Sequence, residues 1–224
     1  GAIAAAKLGL KTGIICRLGR DGAGEMVLHT LEAHGVDIKR VIMDGMTPVA
    51  TILVHEDGSR KSIVSEAHRT PYDPAADPAL FSDARALMLG SLFRVPFDDP
   101  QTVYSVVSRA KQANQMVFAD TKLPNFKALV LDDLKDSLPM IDFITPNEDE
   151  AKFLTGQDTP DAMADVFLDA GVKHVIIKLG PRGCLMKNQA ETLRLPAFPV
   201  SAVDTTGAGD NFLAGFSSEI LRGY

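Results

Sequence analysis

Asp204-Thr205-Thr206-Gly207-Ala208-Gly209-Asp210 runs directly into Asn211, Phe212, Leu213, Ala214, Gly215 and Phe216. The first half is small and polar and the second is largely apolar, so a helix is expected to begin around Gly207. Glycines at 207 and 209 allow backbone to approach a ligand closely and leave N–H groups unobstructed at the helix start. Such a terminus attracts an anion, through its donors and through the helix dipole, and phosphate is the obvious candidate. Asp210 falls in the first turn, where a carboxylate can take a proton from an attacking hydroxyl. The spacing alone leaves a plainer reading open: a small-residue helix start with Asp210 as the partner of the dipole.

Outward from this run, apolar strands and amphipathic helices alternate. Residues 12–18 form a β-rich run, and Asp21 caps a helix carrying Met26, Val27, Leu28 and Leu31 that Gly35 closes. A strand follows at 38–43. Residues 48–55 and 61–64 read as a hairpin about Asp57-Gly58. Strands are then expected at 86–89, 116–119, 141–145 and 175–179. The helices between them begin at Pro100, near 126–134, at Pro146 and near 162–170. Residues 184–186 and 192–195 form a second hairpin. Strand–helix alternation implies an α/β fold, a mostly parallel central sheet flanked by helices. Residues 1–224 are expected to be one domain, with 48–65 as a small β-hairpin insertion. Gly1 opens directly in a helical run closed by Gly9, and Tyr224 follows an apolar helix. The chain is therefore expected to be a piece of a longer one.

Composition removes several function classes. With 46% hydrophobic and 23% charged residues among 224, the chain is neither disordered nor fibrous. Lys and Arg number 23 against 29 Asp and Glu, a net charge of −6, which excludes nucleic acid and an anionic membrane as expected partners. Apolar runs stop short of the ~18 residues of a membrane span. Cys16 and Cys184 make neither a disulfide framework nor a zinc pattern, so a cytoplasmic protein is expected. Gly-x₄-Gly-Lys-[Ser/Thr] does not occur. Gly207-Ala208-Gly209 lacks the third glycine of a dinucleotide fingerprint because Phe212 stands there. His29, His34, His55, His68 and His174 lack ligand spacing and read as structural or surface residues.

The run 204–210 with the Ala214-Gly215 pair resembles the carboxyl-terminal signature of the ribokinase-like (PfkB) carbohydrate kinase family. Gly9 and Gly19 match the later half of that family's amino-terminal signature, and the insertion at 48–65 resembles its lid. The resemblance implies ATP-dependent phosphorylation of a hydroxyl on a sugar or sugar-like acceptor. Asp210 would be the general base, in contact with the acceptor, and the Gly207, Ala208, Gly209 and Asp210 amides would stabilise charge on the moving phosphoryl group.

Asn147 and Glu150 lie three apart at a helix start, a carboxylate and an amide that suit a hard ion, although an acidic first turn also needs no ion. The resemblance gives this pair Mg²⁺ and the nucleotide phosphates. It places Lys178, Gly180, Gly183 and Thr206 beside the nucleotide, Asp120 and Lys122 at the acceptor, and Asp204 at a K⁺ site. The chain departs from the family near the acceptor: Asp120-Thr121-Lys122-Leu123-Pro124-Asn125 stands where many members have Asp-Pro-Asn and then an arginine. The hairpin reads as apolar on both faces (Val49, Thr51 and Leu53 on one, Ala50, Ile52 and Val54 on the other), and lids pair between subunits in relatives, so a homodimer through the lid is expected. Two other readings stay open: a nucleoside or sugar-phosphate kinase of the same family, and a non-catalytic nucleotide-binding regulator. Asp210 kept together with Gly207 and Gly209 argues against the regulator.

Overall fold

Asp21 shows how the local sequence sets the fold. The extended chain Gly13–Leu18 (β1) ends there, and the Asp21 carboxylate accepts from the Gly24 N–H at 2.8 Å, capping the helix Gly22–Ala33 (α2). The same carboxylate accepts the Thr47 N–H and hydroxyl, each at 2.8 Å. Hydrogen bonds from Thr47 and Gly24 hold its carboxyl below the usual range. Backbone crowds so closely here that a Cβ on Gly19 would stand 2.1 Å from the Thr47 nitrogen, which only glycine avoids.

The computed structural model describes residues 1–54, 60–64, 81, 83–124, 129–202 and 204–223. Two compact units divide the chain: Gly1–Pro71 with Ser218–Tyr224, and Tyr72–Ser217. In the first, Ala2–Lys7 (α1) precedes β1 and α2, and Asp37–Met43 (β2) returns parallel to β1. Ala50–Val54 (β3) and Arg60–Val64 (β4) pair antiparallel from Ala50↔Val64 to Val54↔Arg60, the hairpin anticipated at 48–65. Its expected turn at Asp57-Gly58 lies outside the described residues.

The second unit is built on a six-stranded sheet. Its strands are Ala86–Leu92 (β5), Met116–Thr121 (β6), Phe143–Ile144 (β7), His174–Lys178 (β8), Cys184–Lys187 (β9) and Thr192–Leu195 (β10), in the order β10-β9-β8-β7-β6-β5. The run β5 to β8 is parallel, and β9 and β10 close it antiparallel. Helices Pro100–Gln112 (α3), Glu148–Thr155 (α4) and Pro160–Asp169 (α5) complete the alternation with the first part of Ala208–Arg222 (α6), whose residues from Ser218 belong to the first unit. The helix expected over 126–134 is reduced to a single 3₁₀ turn, Leu131–Leu134, in the described residues. Asp133 accepts the Val130 N–H at 2.9 Å and so caps the start of that turn, and Pro139 lies in a separate 3₁₀ turn, Leu138–Met140. No helix of the described residues is long and apolar enough to cross a membrane.

Val103, Val106, Val107 and Ala110 of α3 are buried, as are Val117, Phe118 and Ala119 of β6 and Val175, Ile176 and Ile177 of β8. Parallel strands covered on both faces read as continuous apolar runs for this reason. Phe118 stacks on Phe143 at 4.9 Å, and Phe216 of α6 meets both rings edge-on at 6.3 and 5.3 Å. Burial of the Phe118 and Phe143 rings contributes about 1.5–3 kcal/mol each. These contacts seat α6 on the sheet and so decide where its first turn falls.

At the amino-terminal edge of β7, Asp142 ties three elements together. It accepts the Val117 N–H at 2.8 Å and the Lys173 ammonium at 2.7 Å, and it pairs with Lys111 at the end of α3. Burial pushes its carboxyl up, and the bonds from Lys111 and Lys173 outweigh that and hold it below the usual range. A depressed folded value stabilises the native state above the unfolded pKa of about 3.9, and that contribution vanishes as pH falls through the folded value. Asp142→Asn is therefore expected to lower stability at pH 7, with the gap from wild type narrowing below about pH 4. Denaturant unfolding across pH checks this, and a gap that stays constant down to pH 3 contradicts it.

Candidate active site

Because β6, β7 and β8 are parallel, their carboxyl ends share one edge of the sheet, the edge at which open α/β sheets bind ligands. Asp120 and Thr121 end β6, Thr145 follows β7 and Lys178 ends β8. Beyond β7, Asn147 bridges Lys178 in parallel register and the Lys178 N–H donates to the Pro146 carbonyl at 2.9 Å.

Asp120 is the centre of this edge. Its side chain is 1% exposed, and its Oδ1 accepts from Lys178 Nζ at 2.6 Å and from the Thr145 hydroxyl at 3.0 Å. Oδ2 is buried without a hydrogen-bond partner, with Lys122 Nζ at 3.6 Å. Lys178 is itself only 13% exposed, so the pair is an internal one. A solvated lysine is the ordinary fate of that residue type at a strand end; here the neighbouring buried carboxylate holds it inside. Asp120 is also the residue expected at the acceptor. It lies beneath the surface, turned to Lys178 and Thr145, while Lys122, 38% exposed, stands at the rim.

Thr121, the next residue, serves the other side. Its hydroxyl donates to Glu150 Oε2 at 2.8 Å, and the Asn147 N–H donates to the same oxygen at 3.0 Å. The Glu150 N–H donates to Asn147 Oδ1 at 2.8 Å, so the pair forms a reciprocal capping box at the start of α4. Asn147 and Glu150 thus face each other, with Glu150 buried.

α6 begins over the buried ion pair. A Cβ on Gly209 would stand 3.2 Å from Lys178 Nζ and 3.8 Å from Asp120 Oδ2, so the glycine sets the distance of closest approach. Gly207 has φ +79°, a conformation glycine adopts without strain. The Ala208 N–H donates to the Thr205 carbonyl at 3.1 Å, and the Thr206 N–H to Asp204 Oδ1 at 2.8 Å. Of the amides expected to receive an anion, that of Ala208 is thus engaged within the turn. Asp210 is half-buried in the first turn.

Gly180 opens the 3₁₀ turn Gly180–Arg182 after β8, and Arg182 pairs with Glu148 on α4. Gly183 has a packing reason of its own: a Cβ there would fall 1.9 Å from the Leu195 carbonyl oxygen. Sequence reasoning missed Thr121 and Thr145. Their one signal was a polar residue at the end of an otherwise apolar strand, the position from which a hydroxyl can reach a neighbouring loop.

The chain matches the pfkB family of carbohydrate kinases over residues 1–224. It is 31% identical to a ribokinase of Haemophilus influenzae, over 99% of this chain and 72% of that enzyme. It is 29% identical to an ATP-dependent 6-phosphofructokinase of Thermoanaerobacterium thermosaccharolyticum, over 100% of this chain and 71% of the enzyme. Among solved structures, a putative ribokinase II of E. coli in complex with ATP and Mg²⁺ superposes with a TM-score of 0.81 at 28% identity, covering 99% of this chain and 74% of that one.

The capping box separates two substitutions at Glu150. Glu150→Gln keeps an oxygen for the Thr121 and Asn147 donors and is expected to melt close to wild type. Glu150→Ala is expected to lose at least about 1 kcal/mol, because the Thr121 hydroxyl and the Asn147 N–H lose their shared acceptor. Thermal unfolding of both variants checks this, and equal melting temperatures for the two would contradict it.

Proposed function

We propose, on the premise that this chain belongs to the pfkB family of carbohydrate kinases, that Asp210 is its general base and that the start of α6 receives the phosphoryl group in transfer. The chain is an ATP-dependent kinase whose acceptor is the hydroxyl of a sugar or sugar-like alcohol. The observation that carries the residue assignment is the meeting of α6 with the strand ends. Gly209 and Asp210 lie in its first turn, and Gly209 abuts a cation at the edge where ligands bind.

In this reading the acceptor hydroxyl gives its proton to the Asp210 carboxylate as its oxygen bonds the γ-phosphorus of ATP. The bond from that phosphorus to the bridging oxygen breaks, and its electron pair leaves with ADP. Gly207 and Gly209 bring backbone amides and the helix dipole to the charge that develops on the phosphoryl oxygens. Lys178 supplies positive charge beside them. Gly180, Gly183 and Thr206 line the nucleotide, and Lys122 reaches the acceptor from the rim. A sugar-phosphate acceptor is the second reading, favoured by the exposure of the Lys122 cation at that rim.

A divalent ion fits the donor set in one form only. Among the described residues, no group of three or more His, Cys, Asp or Glu is placed to hold a metal ion. Mg²⁺ commonly keeps several waters and takes one or two carboxylates plus substrate phosphates, which matches a site of this kind. Glu150 would hold it through water, since Oε2 is taken by the capping box, with Asn147 beside it. When bound, Mg²⁺ neutralises charge on the nucleotide phosphates. Asp204, steadied by the Thr206 N–H, is assigned to a K⁺ site near the helix start.

Three outcomes are expected. Asp210→Asn keeps shape and hydrogen-bonding capacity but not basicity, so acceptor-dependent ADP production should fall by at least ~10²-fold while the variant still folds and binds ATP; near-normal turnover would remove Asp210 as the base. In ion titrations, Glu150→Gln should raise the Mg²⁺ requirement and Asp204→Asn the K⁺ requirement; unchanged curves would return both residues to purely structural duty. Val49, Ile52, Leu53 and Ile63 are exposed on or beside the hairpin, so pairing of two copies through β3 and β4 is proposed. Sedimentation at micromolar concentration should give a dimer, and a strict monomer would refute the pairing.

A further inference from the structure

We infer that Asp120 is a positioning residue acting through Lys178: its buried carboxylate holds the Lys178 ammonium against Gly209, where that cation carries charge of the transferring phosphoryl group. The inference rests on the reading that the start of α6 receives that group.

Three observations converge on it. Asp120 is withdrawn from solvent, with Oδ1 committed to Lys178 and Thr145, so it has no open face for an acceptor hydroxyl. The Lys178 ammonium has three hydrogens, and among the described residues Asp120 is the one acceptor to which it donates. That nitrogen lies 3.2 Å from where a Cβ of Gly209 would be, so the absent side chain is what keeps the cation beside the first turn of α6.

A cation beside a helix N-terminus is electrostatically uncomfortable, because both are positive. Asp120 relieves part of that strain. Its Oδ2, buried and without a hydrogen-bond donor, lies 3.6 Å from Lys122 Nζ, so the one carboxylate sits between two cations. An anion at the helix start would take the two ammonium hydrogens that Asp120 leaves. A purely structural role would not require ions here, since buried ion pairs are seldom better for stability than apolar residues of the same volume.

The experiment is steady-state ADP release by wild type, Asp120→Asn, Lys178→Met and the double variant. It uses the best acceptor from a panel of free and phosphorylated sugars, or water as acceptor where none is faster. Lys178→Met should lower kcat by about 10²-fold, as expected for one charged donor to a developing oxyanion. Asp120→Asn should lower kcat at least ~10-fold and leave the acceptor KM within about twofold. The double variant should match Lys178→Met alone within about threefold, since one residue acts through the other. A raised acceptor KM with kcat intact in Asp120→Asn would make Asp120 a direct acceptor contact and overturn the inference, as would losses that multiply in the double variant.

Gly209→Ala decides the matter where Asp120→Asn fails to fold. It should cost at least ~10-fold with Lys178 present and under about threefold beside Lys178→Met; equal costs in both backgrounds would overturn the inference. Asp210→Asn in the same assay separates the two levels. Activity surviving that change refutes the base while leaving the coupling of Asp120 to Lys178 to stand or fall on its own numbers.

Discussion

The carboxylate of Asp120 is taken out of water at the end of β6, and the ammonium of Lys178 at the end of β8 is what makes that tolerable. Removing one partner of such a pair leaves a buried charge uncompensated, which typically costs about 3–5 kcal/mol. The interaction crosses the sheet over β7, so it also governs the spacing of the loops between. Thr145 donates to the same carboxylate from the β7 side, and Thr121 passes the connection to Glu150 and the start of α4. A plinth of hydrogen bonds thus joins two strand ends, two loops and a helix start.

The fold supplies the plinth with its position. Parallel strands bring all their carboxyl ends to one edge, and the helices that follow β5 and β7 start on that side. Burying Phe216 against Phe118 and Phe143 seats α6, and the absence of a side chain at Gly209 lets its first turn approach the Lys178 nitrogen. The amino-terminal edge is held differently, by Asp142 between Lys111 and Lys173. One edge of the sheet is thereby a charged structural tie, and the other is where chemistry is assigned.

Much of this was legible in the residues themselves. Apolar runs with β-branched residues gave the strands, Asp21 and Pro100 gave helix starts, and Gly207-Ala208-Gly209-Asp210 gave the start of α6. Asn147 and Glu150 were legible as neighbours, although the capping box that makes them face each other was not read from their spacing. Less legible were pairings between residues far apart in the chain. Nothing near Asp120 says that Lys178, 58 positions away, will meet it. Such a contact depends on strand order, which local patterns do not encode. The short 3₁₀ turn at Leu131–Leu134 shows the converse: helical propensity was present, but the described residues wind into a single 3₁₀ turn, capped at its start by Asp133 on Val130.

The account depends on a phosphoryl group lying at the start of α6, between Asp210 and the Lys178 cation. A crystal structure with ADP, Mg²⁺, aluminium fluoride and a bound sugar tests that most directly. The account predicts the fluoride-bound aluminium at the Gly207–Asp210 turn, Lys178 Nζ still on Asp120 and within hydrogen-bond reach of a fluoride, and a sugar hydroxyl on the Asp210 carboxylate. A transferring group bound away from that turn, with Lys178 out of its reach, would contradict it.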